Sequence, residues 1–284
     1  MQKIHKHIFL ALLSSTLIAG SAFAGETVTD AVINQQRDAL AASTKDAGFG
    51  PQSPRDIDQL AGSNPRAFET APASTAMNLC NIHFHENAEH KGGGFAKFAG
   101  NGDGKGYGTG FVYSGELSEA ELKPYGSKVG TSDHGDLVPG DTIEVHYVHT
   151  TAKVKPGPTL GACLSEAIAN PQLRVEAQVL VIVNDDNALD FVELTKHEVA
   201  NGFHQAINIP QDTGAPVRYN GSTTGPSYNE KGSPFQVSWS VRPKVAKVSI
   251  ASLDAWLKSN VFDEDHAHGV RNLVTNPRLL SDIN

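Results

Sequence analysis

The chain has 284 residues, a formal net charge of −8, 39% hydrophobic residues and only two cysteines. Such an acidic balance argues against nucleic acid and anionic membrane surfaces as partners. The length suits one sizeable domain with a real core.

Lys3 and Lys6, the apolar run from Ile8 to Ala19 and the small-x-small triplet Ala22-Phe23-Ala24 read as a cleaved signal peptide over residues 1–24. The apolar run is too short to span a bilayer, so the mature chain is expected in the periplasm or secreted, without a membrane anchor. Losing Lys3 and Lys6 takes the net charge from −8 to −10. In an oxidising compartment Cys80 and Cys163 read as one disulfide. Strand alternation points Cys80, three residues before His83, to the opposite face, which disfavours it as a metal ligand.

Residues 25–49 are polar and alanine-rich and read as an amphipathic lead-in helix before a domain spanning 50–284. Gly50-Pro51-Gln52-Ser53-Pro54 is a turn. Asn78 to His85 is the first predicted strand. Lys91 to Gly110 holds nine glycines and reads as a long loop or a set of tight turns. It is no phosphate cradle, since no Gly-Lys-Ser/Thr or strand-to-helix context follows. Asp141 to Thr151 is a second strand. Leu173 to Asn184 is a continuous β-branched run, as expected for a central strand covered on both faces. Phe235 to Val241 alternates around Trp239, and Ser249 to Lys258 is a short helix with Leu253, Trp256 and Leu257 on one face. The pattern predicts a mainly β single domain around a large twisted central sheet, with few short helices.

His83-Phe84-His85 and Glu144-Val145-His146-Tyr147-Val148-His149 carry the chemistry. Alternate strand residues share a face, so His83 and His85 point the same way, and Glu144, His146 and Val148 share a face of the second strand. Two imidazoles from one strand and a third from another form the ligand set of an open catalytic zinc site, with the fourth position left for water. Glu144 is placed to hold a ring nitrogen of a ligand, and Val148 to line a small apolar pocket.

Taken in order, several segments resemble the carbonic anhydrases, with the layout of the α class. Gln52-Ser53-Pro54 resembles that family's Gln-Ser-Pro segment, and Asn81-Ile82-His83-Phe84-His85 its first ligand strand. Glu89-His90 is similar to its following Glu-His pair, and Glu144 to His149 to the strand of the third ligand. Tyr219-Asn220-Gly221-Ser222-Thr223-Thr224-Gly225-Pro226 resembles its Gly-Ser-x-Thr-Thr-Pro-Pro loop. Val237 to Val241 and Asn276-Pro277-Arg278-Leu279-Leu280 resemble the following strand and the C-terminal tail. The gap of 61 positions between His85 and His146, Gly225 in place of proline, and the cysteine arrangement depart from the α class. The Cys-Asn-Ile-His-Phe-His stretch and the glycine-rich insertion look more like the δ class.

This resemblance implies reversible hydration of carbon dioxide to bicarbonate by a zinc-bound hydroxide, with Zn2+ on His83, His85 and His146. It implies that Glu144 orients His146 and that Asn81 stands where the family has a glutamine holding the first ligand. Thr223 resembles the threonine that accepts a proton from the hydroxide, and Glu89 the carboxylate that orients this threonine. Val148 and Thr224 fall in the substrate pocket, with Val179 or Val181 beside them, although core packing accounts for most of the Val179–Val183 run. His90 resembles a buried structural histidine. No histidine matches the family's proton shuttle; His134, His149 and His204 qualify by residue type alone. His266 and His268 read as part of a solvated acidic loop. A homodimer is compatible with the sequence.

Two other readings stay open. In a cupin, His83-x-His85-x3-Glu89 makes Glu89 a ligand of iron or manganese. A non-catalytic periplasmic zinc-binding protein is the second, although the twelve histidines are scattered rather than repeated.

Overall fold

The computed structural model describes residues 27–223 and 228–283. The expected signal peptide over residues 1–24 lies outside them, as does Thr224. In chain order the strands are β1 (Asn78–Glu86), β2 (Lys97–Asn101), β3 (Thr109–Val112), β4 (Thr142–Thr150) and β5 (Leu173–Val183). They continue as β6 (His197–Ala200), β7 (Phe203–Ala206), β8 (Val217–Ser222), β9 (Gln236–Val241) and β10 (Ala246–Ser249). Helices α1 (Asp30–Thr44), α2 (Phe191–Leu194) and α3 (Ile250–Leu257) are short or peripheral. The protein is mainly β, as the alternation of its apolar residues requires.

The main sheet runs β1-β4-β5-β9-β8, with β10 on the far half of β5. β5 is antiparallel to β4 along its length, parallel to β9 over Leu173–Ala177 and parallel to β10 over Leu180–Val183. A strand with neighbours on both sides and cover on both faces must be apolar throughout, which explains the unbroken Val/Ile/Leu run. Its Leu173, Val175, Ala177 and Val179 enter a cluster with Val148, Trp239 and Val241. Leu180 and Ile182 enter the other cluster, with Ile82, Phe84, Val145, Tyr147 and Trp256.

One strand breaks simple alternation. In the β1/β4 ladder Leu79 pairs with His149 and Asn81 with Val148, leaving Cys80 as an extra residue. This β-bulge turns Cys80 into the Val148–Trp239 cluster while Leu79 stays in the opposite one. Cys80 and Asn81 therefore share the His83 face. The expectation that alternation sends Cys80 to the opposite face is corrected: an inserted residue resets the faces, as bulges do. The disulfide expectation stands, with Cys80 bonded to Cys163 and no free cysteine among the described residues.

The glycine-rich segment holds the β2–β3 hairpin between tight turns. Gly102 has φ 57°, and a Cβ there would lie 1.9 Å from the Tyr107 carbonyl oxygen. Only glycine fits such a turn. The lead-in helix α1 packs on the domain: Gln36 donates to the Gly104 carbonyl and accepts from Asn272, while Leu40 sits with Val274 and Leu280. Among the described residues no helix is long and apolar enough to cross a membrane.

His149, on β4, is buried and donates from Nδ1 to the Tyr147 carbonyl oxygen at 3.0 Å. Burial pushes its pKa down from 6.5 to about 4; the bond to Tyr147 opposes this and nearby Arg174 reinforces it. The unfolded chain therefore takes a proton before the folded one, so this group's stability is complete above pH 6.5 and is lost as pH falls toward 4. We expect a loss of about 2–3 kcal/mol between pH 7 and pH 4 in urea unfolding that is absent in His149→Gln. Equal pH slopes in the two proteins would contradict it.

Candidate metal centre

The ladder of β1 and β4 sets His83 directly opposite His146 and His85 directly opposite Glu144. Cross-strand partners share a face, so both strands present these four side chains to one side of the sheet. The His83–His85 and His83–His146 ring centres are each 5.2 Å apart, and His85–His146 are 4.6 Å apart. One ring nitrogen from each lies within 4.8 Å of the others. Trp239 of β9 packs edge-on beneath His146 at 5.0 Å and His90 at 4.8 Å.

One ring nitrogen of His83 and one of His146 are spoken for. His83 Nδ1 lies 2.6 Å from Asn81 Oδ1, and His146 Nε2 lies 3.1 Å from Glu144 Oε1. These oxygens accept, so both nitrogens carry protons and leave His83 Nε2 and His146 Nδ1 as lone-pair donors. His85 Nδ1 and Glu89 Oε2 are 3.4 Å apart, and both are buried without a hydrogen-bond partner. Burial, then the neighbouring imidazoles His146 and His85, hold His83 well below the usual histidine range. Burial also lowers His85, against the pull of Glu89. Converging imidazoles beside unpartnered buried polar atoms suit a divalent cation.

A second grouping, Glu89 with His90 and His146, has similar spacing. His90 has no nitrogen left for it: Nδ1 is 2.7 Å from Glu144 Oε1 and Nε2 is 2.6 Å from the Tyr219 hydroxyl. Glu144 is fully buried and also accepts the backbone N–H groups of Glu89 (2.7 Å) and His90 (3.2 Å). Burial alone would raise its pKa, but the His90 charge and the bonds from His146 and His90 outweigh this and hold it well below the carboxylate range. Burial would lower His90, yet Glu144 wins and raises it. Glu89 is likewise pushed up by burial but brought below its ordinary value by His85 and His146.

A cavity of about 210 Å³ opens over the histidines, lined also by Asn81, Glu89, Thr159, Leu160, Thr223, Glu264 and His268. Thr223 follows β8, its N–H donating to Phe235 and its carbonyl oxygen accepting from Ser233. The turn at Gln52-Ser53 braces this segment, Ser222 N–H donating to Ser53 Oγ and Ser233 N–H to Gln52 Oε1. Glu89 and Thr223 thus share the cavity, but no hydrogen bond joins them among the described residues. Val148 lies under the site in the core, and the apolar side of the cavity is Leu160.

Of the histidines singled out by type, His149 is buried on the far face of β4, His134 stacks on Tyr107 and His204 lies on β7. The cavity's further imidazole is His268, bonded through Nε2 to Glu264 at 2.6 Å and 5.7 Å from the His83 ring. It belongs to the segment read as a solvated acidic loop. That segment pairs with the edge of β1, His268 N–H donating to Phe84 and Glu86 N–H to His268. The spacing His266-x-His268 was the available signal, but an edge pairing between residues as distant in the chain as His85 and His268 has no local signature.

A mainly β protein with three inward imidazoles on neighbouring strands has the donor set of a mononuclear metalloprotein. The model of the delta carbonic anhydrase family matches residues 74–252, and the chain belongs to that family. No curated protein matches it. Solved structures similar to it include a hyperthermostable carbonic anhydrase identified from an active hydrothermal vent chimney, at 15% identity over 82% of this chain and 86% of that one, TM-score 0.29. The α-carbonic anhydrase of Photobacterium profundum is 17% identical over 88% and 96%, TM-score 0.25. That of Thermovibrio ammonificans, solved with the inhibitor sulfanilamide, is 16% identical over 85% and 92%, TM-score 0.28.

Glu144→Gln replaces one acceptor oxygen with a donor amide facing His90, His146 and two backbone N–H groups. Breaking a buried charge network of this kind costs about 3–5 kcal/mol. Urea unfolding at pH 7 should show that loss, and a change under about 1 kcal/mol would mean Glu144 is not the hub described.

Proposed function

We propose that this chain catalyses reversible hydration of carbon dioxide to bicarbonate, with Zn2+ held by His83, His85 and His146. The observation carrying this is the β1/β4 register, which brings three imidazoles to one cavity in a member of this family. Zinc, when bound there, supplies a Lewis-acid centre that acidifies water at neutral pH. Asn81 and Glu144 act as positioning residues: each accepts the N–H of a histidine and keeps the opposite nitrogen free for the metal. Thr223, which lines the cavity, accepts a hydrogen bond from the reacting water and disfavours ligands that cannot donate one. Glu89, beside His85 and His146, keeps negative charge near the ligand set. Leu160 gives an uncharged, linear substrate an apolar surface on which to rest.

The disulfide supports an oxidising location, periplasmic or secreted, which agrees with the sequence reading of residues 1–24 as a leader. The approach of Glu89 Oε2 to His85 Nδ1, at 3.4 Å, is the observation that favours the cupin-like alternative, in which Glu89 joins His83 and His85 as a ligand. Against it, His83, His85 and His146 group without Glu89, two of their nitrogens are directed away from other partners, and the chain belongs to the delta carbonic anhydrase family.

Elemental analysis and stopped-flow hydration of carbon dioxide test the proposal together. We expect one zinc per chain and zinc-dependent hydration, with His146→Ala losing both. Thr223→Ala should keep zinc and lose about 10²–10³ of kcat, the scale for removing one group that acts on developing charge. Glu89→Gln should retain zinc, whereas a cupin would lose its metal. Full activity in His146→Ala, or zinc bound without hydration above buffer, would overturn the assignment.

A further inference from the structure

The connection from β4 to β5, residues 151–172, folds back over β1 and is held there at several points. Cys163 is disulfide-bonded to Cys80, and the Thr150 hydroxyl donates to the Cys163 carbonyl at 2.8 Å. Gly157 N–H donates to the Cys80 carbonyl at 3.0 Å. The Gly157 carbonyl in turn accepts from Asn81 Nδ2 at 3.1 Å, while Asn81 Oδ1 lies 2.6 Å from His83 Nδ1. Thr159 and Leu160, between Gly157 and Cys163, line the cavity. The bulge at Cys80 makes this possible, because it turns two successive side chains, the cysteine and the asparagine, toward the same face.

An asparagine amide has one accepting end and one donating end, and rotation by half a turn exchanges them. A backbone carbonyl only accepts, so Gly157 requires the NH2 end of Asn81. The oxygen end must then face His83, and His83 must carry its proton on Nδ1. The lone pair is thereby placed on Nε2. A loop more than seventy residues away in sequence thus selects the tautomer of one imidazole.

We propose that the disulfide-anchored loop sets the metal affinity of the site by fixing Asn81, with Gly157 and the Cys80–Cys163 bridge acting as positioning groups for His83. This rests on the reading of His83 as a ligand. Groups that orient a ligand from behind are worth about 10–100-fold in metal affinity.

The test measures zinc dissociation constants of the full chain by competition with a chromophoric chelator. Four proteins form a cycle: the unsubstituted chain, Cys80→Ala/Cys163→Ala, Asn81→Ala, and all three substitutions together. The cysteine pair is expected to weaken zinc about tenfold and Asn81→Ala at least as much. The triple variant should be no weaker than Asn81→Ala, because both changes act on one bond. A further variant, with two glycines inserted between Gly157 and Pro158, frees the loop while leaving the cysteines in place and should weaken zinc similarly; it decides the question if the cysteine pair does not fold. Unchanged affinity in the loop variants, or losses that simply multiply in the triple variant, would overturn the coupling while leaving the triad intact. Failure of the unsubstituted chain to bind zinc would instead remove the triad, and this proposal with it.

Discussion

The antiparallel register between β1 and β4 is the constraint on which the site depends. Because side chains alternate along a strand, a slip of one residue would send the histidines of the slipped strand, His83 and His85 or His146, into the apolar cluster on the far side. The hydrophobic alternates forbid that slip: Ile82, Phe84, Val145 and Tyr147 are all buried in that cluster. The energy that fixes the face carrying the three histidines is therefore the burial of residues pointing away from it. Phe84, locked edge-on against Phe191 and tilted against Trp256, positions the two histidines beside it without touching the cavity.

The second constraint is electrostatic. A buried carboxylate is tolerable only when its charge is matched and its lone pairs are used. Glu144 meets this with two backbone N–H groups and two imidazoles, and it thereby ties the loop at Glu89-His90 to the third histidine. His90 extends the network to Tyr219 on β8, so β4 and the edge strand β8 are joined through one chain of hydrogen bonds. Across the site, Asn81 plays the corresponding part for His83 and links it to the disulfide-bound loop. In His83 and His146 the tautomer is thereby already chosen.

Much of this was legible in the residues. β5, β9 and α3 followed from continuous or alternating apolar runs, and β1 and β4 from the histidine segments that straddle them. The order of motifs carried the family. What local pattern could not show was long-range or irregular. The bulge at Cys80 has no marker in the run Asn78 to His85, so alternation misassigned that residue's face. β2, β3, β6, β7, β8 and β10 are only four to six residues long, too short for a period to emerge from their composition. His268 and Leu160 reach the cavity by folding of loops far from the histidine strands, whereas Val148, on the right face of the right strand, lies too deep to line it.

The most direct measurement is anomalous scattering at the zinc absorption edge from crystals grown with zinc. The account predicts a single strong peak about 2.0–2.1 Å from one nitrogen each of His83, His85 and His146, with Asn81 and Glu144 still bonded behind the first and third rings. A peak on Glu89 and His90, or one that leaves His146 uncoordinated, would contradict it.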